Sequence, residues 1–96
     1  LRKRGFNMGL SMVDIEECFK EARLNKSEYI GVMIEMDGFP EPEVIINPCD
    51  NFDAKLAYYK KAYSDSLVLK TFSGIRIRDI AFGDSYDEIE IALLDE

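Results

Sequence analysis

Apolar residues follow two alternating rhythms along this chain. Between Ser11 and Asn25, Ile15, Cys18, Phe19 and Ala22 recur at intervals of three and four and share one helical face. Ser11 heads the stretch with Asp14 three residues on, a spacing that satisfies the free N–H groups of a first turn, and Asn25 closes it after Leu24. From Glu28 to Met36 the rhythm becomes two. Ile30, Val32, Ile34 and Met36 form an apolar face, and Tyr29, Gly31, Met33 and Glu35 form a mixed one. Asp37-Gly38-Phe39-Pro40-Glu41-Pro42 then has turn chemistry, because Gly accepts positive φ and each Pro fixes φ while removing a donor. Glu43–Asn47 predicts a second strand, which pairs with the first as an antiparallel hairpin.

Pro48 ends that strand, and Asp50 or Asn51 caps a second helix reaching about Ser64. Phe52, Leu56, Tyr59 and Tyr63 occupy a narrow arc of it. Asp50 and Asp53 at its start and Lys60 and Lys61 near its end suit the helix dipole. Ser66–Phe72 reads as a strand or an extended connector. Ile75–Phe82 reads as a strand whose alternation breaks at Asp79, so either a bulge at Arg78-Asp79 or burial on both faces is required. Gly83-Asp84-Ser85 turns the chain. Ser85 and Glu88 make a capping box for a third helix with Tyr86, Ile89 and Leu93 on one face, although Ile89, Ile91 and Leu93 also alternate as a strand would. The order α-β-β-α-(β)-β-α predicts an α+β two-layer sandwich, a mostly antiparallel sheet with helices on one face. Residues 11–96 form one domain behind a ten-residue tail expected to lack structure.

Composition narrows the function. The chain is 47% hydrophobic and 32% charged, a globular mixture with no apolar run long enough to span a membrane. Cys18 and Cys49 do not make a disulfide framework, and no segment resembles a signal peptide, so a cytoplasmic location is expected. A net charge of −7 argues against direct nucleic-acid binding. The absence of histidine removes the usual general base and the commonest metal ligand. The opening Leu1-Arg2-Lys3-Arg4-Gly5-Phe6-Asn7 precedes Met8 and Met12, which suggests upstream codons read as protein and a native start at one of these methionines. The rival expectation is a basic arm that grips an acidic partner.

No catalytic residue, metal site or cofactor is expected. Cys49 lies just ahead of a helix, but no histidine exists to activate it and Asp50 beside it opposes a thiolate. Glu41 with Glu43, and the acids of Asp84–Glu90, lack both the facing geometry of a hydrolase pair and an EF-hand pattern. Two surfaces remain. Phe39, Tyr58, Ile91 and Leu94 lie off the core stripes and are candidates to seat a protein partner or a second copy of the chain. Asp14, Glu17 and Glu21 form a stripe on the first helix, and Asp84, Asp87 and Glu88 extend the acidic surface. At about 5–6 Å per helical turn, such a stripe resembles a row of phosphates, the display of a nucleic-acid mimic that occupies a DNA- or RNA-handling enzyme. A third possibility is a small-ligand pocket lined by Tyr29, Tyr59 and Tyr63.

The segments Tyr29-Ile30-Gly31-Val32, Glu43-Val44-Ile45-Ile46-Asn47-Pro48, Phe52-Asp53-Ala54-Lys55-Leu56-Ala57-Tyr58-Tyr59 and Phe82-Gly83-Asp84-Ser85 resemble short uncharacterised proteins of Gram-positive prophages and integrative mobile elements. That resemblance implies a setting, accessory proteins that inhibit or adapt host machinery, and assigns no residue a role. The combined expectation is a non-enzymatic protein-interaction module encoded by a mobile element. The alternative is a mimic of the anti-restriction or anti-CRISPR type.

Overall fold

The computed structural model describes residues 2–3 and 10–94. Its elements are β1 (Arg2–Lys3), α1 (Met12–Leu24), β2 (Tyr29–Met36), β3 (Glu43–Pro48), a 3-10 turn (Cys49–Asn51), α2 (Phe52–Ala62), β4 (Ile75–Gly83) and α3 (Tyr86–Leu94). The protein is an α+β fold with an antiparallel sheet ordered β1-β4-β2-β3. Of the tail expected to lack structure, Arg2 and Lys3 pair with Phe82 and Ala81, and Leu10 packs against the core. Met8 and Arg4 lie outside the described residues, and with them much of the start-site and basic-arm expectations.

The two rhythms become two faces of the sheet. On the first face, Ile30, Val32 and Ile34 of β2 meet Ile15, Cys18, Phe19 and Ala22 of α1, together with Phe52, Tyr59 and Tyr63 beyond. Phe19 packs edge-on against Phe52 with ring centroids 5.5 Å apart, locking α1 to α2. Each fully buried aliphatic or aromatic side chain here is worth roughly 1.5–3 kcal/mol, so this cluster dominates the stability.

The bulge expected at Arg78-Asp79 is present. Met33 pairs with Asp79 and Ile34 with Ile77, leaving Arg78 without a partner in the register. One extra residue returns Ile75 and Ile77 to the face that holds Ile80 and Phe82, and all four join the same cluster. β4 is also buried on its other face through Ala81. Ser66–Phe72 is neither a full strand nor an extended connector but a connector built of turns, in which Leu67 takes φ +71, held by the isolated bridges Tyr63–Leu69 and Val68–Arg76.

The helices do not all lie on one face. Ile89 and Leu93 of α3 form a separate cluster with Met33 and Ala81, flanked by Tyr29, Val44 and Ile46, on the opposite side of the sheet. The expected two layers are therefore three, α1 and α2 above and α3 below. Gly31 makes this possible. A Cβ there would stand 2.1 Å from Ile89 Cγ2, so the bare Cα lets α3 settle onto the strand. Ser85 Oγ accepts from the Glu88 N–H at 3.1 Å, and the Glu88 carboxylate accepts from the Asp84 N–H at 2.7 Å, so the expected capping signal starts this helix.

Candidate protein interface

The four apolar candidates are all exposed, Phe39 at 64%, Tyr58 at 50%, Ile91 at 58% and Leu94 at 48%, but they do not make one patch. Ile91 and Leu94 lie on the outward side of α3, beyond the buried pair Ile89 and Leu93. Phe39 belongs to the hairpin turn and Tyr58 to α2. These two adjoin the face on which α1 and α2 pack.

There the helices leave the outer strand of the sheet partly bare. By register Asn47, Ile45 and Glu43 lie opposite Ile30, Val32 and Ile34, so they point to the same face. Asn47 is buried. Its Nδ2 donates to the Ile30 carbonyl at 3.1 Å and to the Tyr59 hydroxyl at 3.4 Å, which ties β3 to α2. Two residues on, Ile45 is 37% exposed although its neighbour Val32 is fully buried. Beyond Ile45 a cleft of about 370 Å³ opens, lined by Ile34, Met36, Phe39, Pro42 and the acids Glu41 and Glu43. Phe39 is held at its rim by a backbone bond to the Met36 carbonyl in a turn where Gly38 takes φ +87.

The result is an apolar strip with an acidic margin running along β3 from Ile45 to the hairpin tip. Sequence periodicity missed Ile45 and Met36 because both fall on strand positions that normally face a core. The signal available was the company of Ile45, since Glu43 and Asn47 on the same face mark a strand side that is not fully covered. A second depression of about 560 Å³ lies beside Tyr58, lined by Lys61, Ala62, Leu69, Lys70 and Thr71. Lys55 Nζ lies 5.2 Å from the Tyr58 ring centre and 5.5 Å from that of Tyr59, within cation–π range.

Much of the acidic surface serves the fold. The Asp14 carboxylate accepts from the Ser11 N–H at 2.8 Å, and Asp84 accepts from the Glu28 N–H at 3.1 Å. Glu88 is engaged in its cap. Glu16 pairs with Lys60, Asp53 with Arg23, and Glu35 with both Arg76 and Arg78. Glu17 and Asp87 are exposed and Glu21 is half-buried.

The three tyrosines considered as a pocket are divided by the sheet. Tyr59 and Tyr63 are buried in the first-face core, whereas Tyr29 packs on Tyr86 across the other face with ring centres 5.0 Å apart. Burial pushes the Tyr59 phenol up to about 12, the hydrogen bond from Asn47 pulling the other way, and burial raises Tyr63 as well. Both are core groups, and Tyr29 lies across the sheet from them, so the three do not line one pocket. Cys18 is buried as its helical stripe required, and Cys49 is exposed in the 3-10 turn. Among the described residues no three of Cys, Asp and Glu converge to hold a metal ion, and no helix is long and apolar enough to cross a membrane. No family model matches the chain, and no curated protein or solved structure is significantly similar to it.

Proposed function

We propose that this chain is a cytoplasmic, non-enzymatic protein-interaction module encoded by a mobile element, and that it binds a host or element protein through the apolar strip along β3. The observation that carries the proposal is the cleft bounded by Phe39, Met36, Ile34 and Pro42, with exposed Ile45 two residues along β3 from its lining residue Glu43 on the same face. A partner side chain seated there would remove Phe39 from water, worth about 1.5–3 kcal/mol for a fully buried aromatic. Glu41 and Glu43 at the margin would orient a partner bearing a basic rim, through on-rate and register more than through affinity.

The mimic reading ranks second because Asp14, Asp84 and Glu88 already accept backbone hydrogen bonds and are less available to a basic groove. Affinity capture from a Gram-positive lysate, washed in parallel at low and high salt, separates the two. An apolar strip retains its prey in high salt and loses it on Phe39→Ser, while Ile91→Ser has no effect. A nuclease that is released by salt, and lost on Glu17→Ser with Glu21→Ser, would overturn the apolar reading in favour of mimicry.

A further inference from the structure

β3 is an open sheet edge, and its own sequence suits one occupant. We infer that a second copy of this chain pairs with it, β3 against β3 in antiparallel register about Ile45, joining two sheets into one. The inference rests on the interaction reading above and names a partner for the same strand.

The far edge of the sheet is already occupied. β1 pairs with β4 at Phe82 and Ala81, and the connector bonds to the start of β4 through Leu69 N–H to Ile75 O and Ile77 N–H to Leu67 O, both 2.9 Å. At β3 the situation differs. The Cys49 N–H donates inward to the Glu28 carbonyl at 2.8 Å, and strand alternation therefore turns the backbone groups of Asn47, Ile45 and Glu43 toward β2. Those of Val44 and Ile46 point outward. Among the described residues nothing bonds to them from that side.

An unpaired apolar edge is a template for another strand, and the register follows from the side chains. Centred on Ile45, the outward residue Val44 of each copy lies opposite Ile46 of the other, so two outward pairs exchange four backbone hydrogen bonds. Ile45 meets Ile45 across the twofold axis on the first face, and Val44 meets Ile46 on the second. Glu43 falls opposite Asn47 of the second copy, so the only acid of the strand faces a neutral amide and not a like charge. A shift of two residues either way sets Ile45 against Glu43 or Asn47 and brings Pro42 or Pro48, which have no N–H to donate, into the bonded pairs. The two prolines therefore bracket one register and stop the ladder from lengthening. A twofold contact of this kind closes on itself, so it yields a dimer rather than a fibre.

Both copies carry −7, so their bodies repel, and added salt should strengthen this pairing where it would weaken a mimic's binding. Sedimentation equilibrium over a wide concentration series tests it. Wild-type protein should rise from 11.0 kDa toward twice that mass, more readily at high salt. Ile45→Lys and Ile45→Glu should each weaken self-association at least about tenfold, because like charges then face each other directly. An equimolar mixture of the two should restore the dimer. Ile45 is partly exposed, and circular dichroism verifies that each variant is folded. As a second readout, Ile45→Cys in a Cys49→Ser background should form an intermolecular disulfide on mild oxidation, and Val13→Cys should not.

A wild type that stays monomeric at every concentration overturns the inference. So does a dimer that survives both charged substitutions, or one lost instead on Ile91→Ser. None of these three results touches the capture of a foreign protein that depends on Phe39, so failure of self-pairing and failure of the broader reading remain distinguishable.

Discussion

Replacing Gly31 with alanine should unseat α3. The new methyl would stand 2.1 Å from Ile89 Cγ2, 3.2 Å from Leu93 Cδ1 and 3.3 Å from Val44 Cγ1, against an ordinary carbon contact of about 3.5–4.0 Å. Ile89 is fully buried, and a β-branched side chain in a helix has essentially one χ1 rotamer. The helix must therefore lift, which loosens Leu93, Met33 and Ala81 together. Overpacking of this kind costs about 1–3 kcal/mol. Alanine in a strand interior recovers about 0.5–1 kcal/mol relative to glycine. The difference spans about 0–2.5 kcal/mol. An approach as close as 2.1 Å to a buried, rotamer-locked side chain puts the net loss in its upper half, about 1–2.5 kcal/mol, a fall in Tm of roughly 4–20 °C for a domain of this size. Urea and thermal denaturation measure it directly, and a cycle with Ile89→Ala identifies the cause. Ile89→Ala alone should cost about 2–5 kcal/mol by leaving a cavity. The added methyl of Gly31→Ala then occupies part of that space, so the double variant should be at least about 1 kcal/mol more stable than the sum of the singles. A Gly31→Ala protein as stable as the wild type, or a strictly additive cycle, would refute the packing of α3 on this face.

Two further perturbations probe the other layer and the start of α3. Burial holds the Tyr59 phenol up to about 12 against an ordinary 10.0, so the folded state keeps that proton more tightly than the unfolded chain does. Its contribution is complete below about pH 10 and is lost as the pH climbs toward about 12, so urea midpoints should fall across that window. Tyr59→Phe should flatten the fall, at a neutral-pH cost of about 0.5–1.5 kcal/mol for the hydrogen bond from Asn47; an unchanged alkaline slope would show that other groups cause it. Ser85→Ala removes the hydroxyl that accepts from the Glu88 N–H and should lower stability by about 0.5–2 kcal/mol in urea titration. No change there would mean that the buried side of α3 holds it alone.

The apolar strip shows why the candidate site was only half visible in advance. Phe39 was legible because a phenylalanine between Gly38 and Pro40 sits in a turn, where no core can cover it. Tyr58 was legible because it falls outside the arc of Phe52, Tyr59 and Tyr63. Ile45 was not, since an isoleucine in an alternating strand reads as core until the neighbouring helices are found to stop short of it. The acids were legible in part. The capping spacings Ser11 to Asp14 and Ser85 to Glu88 announced that these two carboxylates engage backbone N–H groups at the start of their helices, as they do, whereas the bond from the Glu28 N–H to Asp84 spans the fold and has no local signal.

Local chemistry determined most of the elements. The stripe of Ile15, Cys18, Phe19 and Ala22, the alternation of β2, the Gly and Pro turn, the Asp79 irregularity and the Ser85 cap each act within a few residues, so each could be read from the order of the chain. What only the tertiary structure decided is which face each helix covers and which edge stays open. Periodicity reports that a side is apolar but not what lies against it. Gly31 carried the one local hint, a strand position without a side chain, and its meaning depended on Ile89, fifty-eight residues away, arriving on the far side of the sheet. β3 likewise became an edge because β4 returned on the other flank of β2, a long-range choice made by burial of Ile77, Ile80 and Phe82 with α1 and α2 and invisible in β3 itself.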